Sequence, residues 1–81
     1  MAINPTKSME RELKRLLTKK NTFLELVIKY YEYVVVLQIQ DPRGRMYVKT
    51  SLPRKEWDAI NMYPQTHFHY LPIIAGELQL L

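Results

Sequence analysis

The chain has 81 residues, 12 lysines and arginines against 8 aspartates and glutamates, a formal net charge of +4 at pH 7, and no cysteine. That length fits one small domain, residues 1–81, and the missing cysteines exclude disulfides, thiolate nucleophiles and cysteine-based zinc or iron–sulfur sites. Hydrophobic residues at 47% and charged residues at 25% describe a folded globule rather than a disordered tail.

Asn4-Pro5, or Ser8 followed by Glu10 and Glu12, opens a first helix. Met9, Leu13, Leu16 and Leu17 form its apolar stripe, and Lys7, Arg11, Lys14 and Arg15 project on the opposite side. Lys19-Lys20-Asn21 closes it, because cations suit the negative end of the helix dipole and asparagine tolerates a left-handed cap. From Thr22 the period falls to two: Leu24, Leu26, Ile28 and Tyr30 alternate with Glu25, Val27 and Lys29. Residues 34–40 continue as a second strand, with Val35, Leu37 and Ile39 on one face. The junction Tyr30-Tyr31-Glu32-Tyr33 has no glycine, proline or asparagine to turn on, so one long bent strand over residues 22–40 is the alternative to two strands.

Asp41-Pro42-Arg43-Gly44 is a well-formed turn signal, with aspartate first, proline second and glycine fourth. It leads to a third strand, residues 46–52, in which Met46, Val48 and Leu52 face one way and Tyr47, Lys49 and Ser51 the other. Pro53 starts a short second helix that buries Trp57 and Ile60 and stops at Pro64. Residues 65–81 alternate again through Thr66, Phe68 and Tyr70, break at Pro72 and end in leucines, which predicts a β-like tail.

The predicted fold is therefore α+β in the order α-β-β-β-α. A three- or four-stranded antiparallel sheet carries two helices on one face. Its core is Leu13, Leu16, Leu17, Leu24, Leu26, Ile28, Val35, Leu37, Ile39, Val48, Trp57 and Ile60. No apolar leader is visible in residues 1–20, and the longest apolar run carries Glu25, Lys29 and Glu32, each costing roughly 2.5–3.5 kcal/mol in a bilayer. A membrane span is rejected, and a cytoplasmic protein is expected.

Eleven of the 12 cations fall in two windows, residues 7–20 with a net +4 and residues 43–55 with a net +5, while residues 21–42 and 56–81 carry −2 and −3. Clustered positive charge around a sheet-forming core points to a polyanion or an acidic partner. Arg43 and Arg45 flank the hairpin turn, Lys49 lies beside Tyr47, and Arg54-Lys55 open the next helix. No acid interrupts this window. A hairpin carrying arginines can track a phosphate backbone, and a tyrosine beside a lysine can stack a base while the ammonium meets a phosphate. Arg11, Lys14 and Arg15 add electrostatic support from the helix. The bland reading is a solvated helix face and an edge strand protected by lysine.

The expected function is thus a non-enzymatic small basic protein that engages nucleic acid, DNA or RNA, through backbone contacts and requires no cofactor. The rival is an inhibitor or adaptor docking on an acidic protein through Tyr30, Tyr31, Tyr33, Leu78, Leu80 and Leu81. The uncharged run of residues 33–39 and the leucine tail predict either a central strand or a homodimer formed by strand or tail exchange. His67 and His69 share a face if residues 65–71 are a strand, which leaves a metal-independent nuclease as a further alternative. A metal site is not expected with two histidines and no cysteine. Two glycines, Gly44 and Gly76, exclude phosphate-cradling glycine loops.

Residues 43–50 depart from the RNA-recognition-motif signature, since Arg45, Met46 and Thr50 miss their positions and no strand precedes the first helix. The element order is similar to that of double-stranded-RNA-binding domains at the level of fold alone, with Arg54-Lys55 as a faint counterpart of the basic cluster that opens their second helix.

Overall fold

A computed structural model describes residues 8–81. Helix α1 (Ser8–Lys20), strands β1 (Glu25–Tyr30), β2 (Val34–Gln40) and β3 (Met46–Pro53), helix α2 (Arg54–Met62), a 3-10 turn (Pro64–Thr66) and helix α3 (His67–Glu77) follow in that order. The strands form one antiparallel sheet in the order β1-β2-β3. The fold is α+β in the expected sequence of elements, and residues 22–40 are two strands. Asn4-Pro5 lies outside the described residues.

Alternation along the strands sorts their side chains onto two faces. Leu26, Val35, Leu37 and Ile39 point inward, where they meet Met9, Leu13 and Leu17 of α1, Trp57 and Ile60 of α2, and Ile74 and Ala75 of α3. Leu16, Leu24, Ile28 and Val48 pack against this core at half burial. The helices all contribute to the inner layer. The outer face of the sheet carries Val27, Lys29, Val36, Gln38, Gln40, Lys49 and Ser51, all exposed or half-buried. The uncharged run lies in β2, the central strand, so pairing on both sides covers it within one chain.

The β-like tail is corrected to helix. Alternation holds only over residues 66–71, whereas Leu71, Ile74, Ala75 and Leu78 recur at i, i+3, i+4 and i+7, and this helical stripe packs on the core. Pro72 stands inside α3 instead of ending it. The helix stops in a Schellman arrangement: Leu80 N–H bonds the Ala75 carbonyl at 2.8 Å and Gln79 N–H the Gly76 carbonyl at 3.0 Å. Gln79 takes the left-handed position at φ 59°. That turn folds the leucine end back on the core, so Leu78 and Leu80 are 1% and 8% exposed and Leu81 alone faces solvent. Leu78 and Leu80 are therefore core residues, not an exposed apolar end. Both features that pointed to a second copy are accounted for inside one chain.

The β1–β2 loop turns without glycine because a distant side chain holds it. Tyr31 N–H closes on the Val34 carbonyl at 2.9 Å. Arg54 then takes two of the loop's carbonyls, its backbone N–H that of Tyr33 at 3.0 Å and its guanidinium that of Tyr31 at 3.1 Å. At the other end of the sheet the predicted turn forms: Gly44 N–H bonds the Asp41 carbonyl, and the Asp41 carboxylate accepts from Arg43 N–H at 3.0 Å and Arg45 N–H at 2.9 Å.

Gly76 is exposed on α3, and a β-carbon added there meets nothing within 4 Å. Gly76→Ala is expected to stabilise the protein by about 0.5–1 kcal/mol through helix propensity, measured as a higher urea midpoint at unchanged m-value. Among the described residues no helix is long and apolar enough to cross a membrane.

Candidate nucleic-acid interface

The outer face of the sheet is built by register. Lys49 of β3 stands opposite Gln38 of β2, which stands opposite Val27 of β1. One pair further on, Ser51, Val36 and Lys29 line up in the same way. Near the hairpin the ladder shifts between Ile39 and Gln40, so that Gln40 pairs with Met46 and Tyr47 is the extra residue. Such a bulge re-aims the strand locally. Tyr47 is more than half exposed, and the Arg45 guanidinium lies over its ring at 5.6 Å. Lys49 and Lys29 stand on the uncovered face, but the bulge interrupts the alternation before Arg45 is reached. Met46 is opposite Gln40, Arg45 is paired with Asp41, and Tyr47 lines a concavity on the helix side. Arg45 and Tyr47 therefore lie at the hairpin edge and do not extend the row of Lys49. Arg43 is exposed at the adjoining turn.

Acids near this row are few and engaged. Asp41 is buried and its carboxylate serves the turn's backbone. Glu25 accepts from Gln40 Nε2 at 3.1 Å, and Gln40 in turn accepts from Gln38 Nε2 at 2.8 Å, an amide chain lying across the face. Among the described residues Arg43, Arg45, Lys49 and Lys29 make no ion pair. Four cations with free charge therefore border an exposed sheet.

The remaining sequence candidates separate from this group. Lys14 pairs with Glu10 at 3.4 Å and Arg15 with Glu12 at 3.0 Å, each within α1. Their helix covers the inner side of the sheet, so Arg11, Lys14 and Arg15 project from the layer away from the open face. They do not join Arg45 and Lys49 in one surface. Arg54 is committed to the β1–β2 loop, lies over the Tyr30 ring at 5.9 Å and approaches Asp58 at 3.8 Å. Lys55 remains exposed beside that loop.

No family model matches this chain, and no curated protein or solved structure does. The shared element order with double-stranded-RNA-binding domains thus stands as a likeness of order alone.

Tyr30, Tyr31 and Tyr33 are all exposed, Tyr33 most of all at 80%. Tyr31 follows Lys29 by two residues and closes on Val34, so it continues the outward row of β1. Lys29 and Tyr31 were not expected in the phosphate-contacting set. Alternation showed that they share a face with each other, but only the register β1-β2-β3 puts them on the same face as Lys49.

His67 and His69 do not share a face. On a helix, positions two apart diverge by about 200°. His67 Nε2 donates to the Ile60 carbonyl at 2.9 Å, while His69 is exposed. Among the described residues no group of three His, Cys, Asp or Glu is placed to hold a metal ion. A concavity of about 320 Å³ opens on the helix side, lined by Leu17, Leu24, Ile39, Val48 and Leu80 with Tyr47 at its edge. Its rim cation, Lys20, is bound to the Gln79 carbonyl.

Proposed function

We propose that this protein is a small, non-enzymatic, cytoplasmic nucleic-acid-binding protein that uses the open sheet face and the β2–β3 hairpin to contact phosphates with little sequence preference. The observation that supports this reading is the group of exposed cations, Arg43 and Arg45 at the hairpin with Lys49 and Lys29 on the open face, which make no ion pair among the described residues. Lysine and arginine heads free of internal partners retain their attraction for a polyanion, and release of condensed counterions drives the association. The absence of cysteine suits a reducing compartment. One chain presents the whole face.

Salt titration tests the proposal. Four phosphate contacts predict that log affinity falls with log salt at a slope of roughly −2.8 to −3.6, so a fourfold rise in salt weakens binding about 50- to 150-fold. Fluorescence anisotropy with labelled oligonucleotides measures this directly. No binding to any nucleic acid at low salt removes the reading. The acidic-protein alternative then stands ahead, favoured by the exposure of Tyr33 on a loop that Arg54 holds still.

A further inference from the structure

Resting on the nucleic-acid reading above, we propose that the helix-side concavity beside the hairpin receives one unpaired base of a single strand, whose neighbouring phosphates meet Arg45 and Lys20. The end of α1, the approach to β1, the hairpin ends of β2 and β3 and the turn after α3 together build this concavity. Its walls are aliphatic, Leu17, Leu24, Ile39, Val48 and Leu80, with Tyr47 at the edge. Two carboxamides, Asn21 and Gln79, and the Lys20 side chain complete the lining. The space is about 320 Å³. At roughly 30 Å³ for each non-hydrogen atom, as in liquid water, it holds about ten atoms. One nucleobase is that size, and a base pair is twice it.

Each group of the lining matches a different part of a nucleotide. Apolar side chains and a tyrosine cover base faces, which in a duplex are already covered by the neighbouring pairs. Carboxamides read base edges because each carries a donor beside an acceptor. Asn21 Oδ1 accepts the Phe23 N–H at 2.9 Å, which holds that side chain and leaves its Nδ2 to donate. Gln79 sits in the left-handed position at φ 59°, with Lys20 bonded to its carbonyl, so the rim is ordered before any ligand arrives. Phosphates find a cation on either side. Lys20 stands on the α1 rim, and Arg45, 5.6 Å from the centre of the Tyr47 ring, stands on the hairpin rim. Neither makes an ion pair among the described residues, and no acid among them lines the concavity. The acids next along the chain are engaged, Glu25 by Gln40 Nε2 at 3.1 Å and Glu77 by Thr50 Oγ1 at 2.6 Å. β3 is an edge strand on which Val48 lines the concavity while Lys49 projects on the open face. A sugar–phosphate backbone rounding that edge therefore passes from Lys49 to the base site along cations.

The test uses the full chain and two single strands of equal phosphate number, a short oligothymidylate and its abasic counterpart, read by fluorescence anisotropy at fixed low salt. Oligothymidylate is expected to bind roughly 5- to 150-fold more tightly, the effect of one stacked base. Tyr47→Ala should remove most of that margin, and Gln79→Gly about 2- to 12-fold of it through lost hydrogen bonds. Both variants should bind the abasic strand and a hairpin duplex as the parent does, since no charge is lost. Both residues are exposed and glycine suits the positive φ at position 79, and circular dichroism controls for folding. Equal affinity for the two strands, or variants that keep the full margin, overturns the base site while salt-dependent binding still supports the polyanion reading. A loss shared equally by the duplex also overturns it, since paired bases cannot enter. Absence of binding to every probe removes both.

Discussion

Asn61→Ala is expected to lower stability by about 2–4 kcal/mol, a large share of the roughly 4–12 kcal/mol available to a domain of this size. Asn61 is fully buried, and its Oδ1 accepts the Met9 backbone N–H at 2.9 Å. That N–H belongs to the first turn of α1, where no helical carbonyl can reach it. The cap is thus supplied from α2, 52 positions along the chain. The Asn61 amide also donates to the Trp57 carbonyl at 2.8 Å, which fixes its orientation beside the largest core side chain. Truncation leaves a buried donor unpaired, costing about 1–3 kcal/mol, and adds a small void. At an m-value of about 1–3 kcal/mol per molar, the urea midpoint should fall by roughly 0.7–4 M with m unchanged. A loss under about 1 kcal/mol would mean that water or a shifted helix satisfies Met9, and the cross-chain cap would not be what secures α1.

Asn61 also marks where reading the chain stops short. Local signals carried α1, since its stripe, its acidic first turn and its basic last turn agree, and the helix forms as Ser8–Lys20. They carried the Asp41-Pro42-Arg43-Gly44 turn, whose chemistry is complete within four residues, and they placed Val35, Leu37 and Ile39 inward. They failed where a distant group decides. The β1–β2 loop has no turn residue of its own because Arg54 satisfies its carbonyls from the start of α2. The cap of α1 comes from Asn61. Residues 66–71 fit a period of two as well as they fit an apolar helix, and only packing of Leu71, Ile74, Ala75 and Leu78 against the core decides between them. The site divides along the same line. Alternation alone put Tyr47 on one face with Lys49, and the bulge at Tyr47, which no residue type announces, breaks that pattern. Setting Lys29 on the face of Lys49 required strand register, and removing Arg54 required its contacts. Glu10, four places before Lys14, and Glu12, three before Arg15, are spaced to neutralise those helix cations within α1.

Reversing one cation of the hairpin and one of the open face, Arg45→Glu with Lys49→Glu, should weaken nucleic-acid binding on the order of a hundredfold at low salt and lower the magnitude of the salt slope by about 2. Each change removes a phosphate contact and sets a carboxylate against the same phosphate, so attraction becomes repulsion at two points. The matched control is Lys14→Glu with Arg15→Glu, which changes net charge equally on the opposite layer. Those side chains are paired to Glu10 and Glu12 and face away from the sheet, so the control should lose only the few-fold effect of net charge. Stability should move little in the sheet variant, because both residues are exposed and Arg45 gives up only its contact with the Tyr47 ring, about 0.5–1 kcal/mol. The ratio between the two double variants is the decisive quantity. If both lose affinity equally, charge is acting from everywhere on the molecule and the face has no privileged role. If the helix variant loses more, the binding surface lies on α1, and the register that puts Lys29 and Lys49 on one face has no part in recognition.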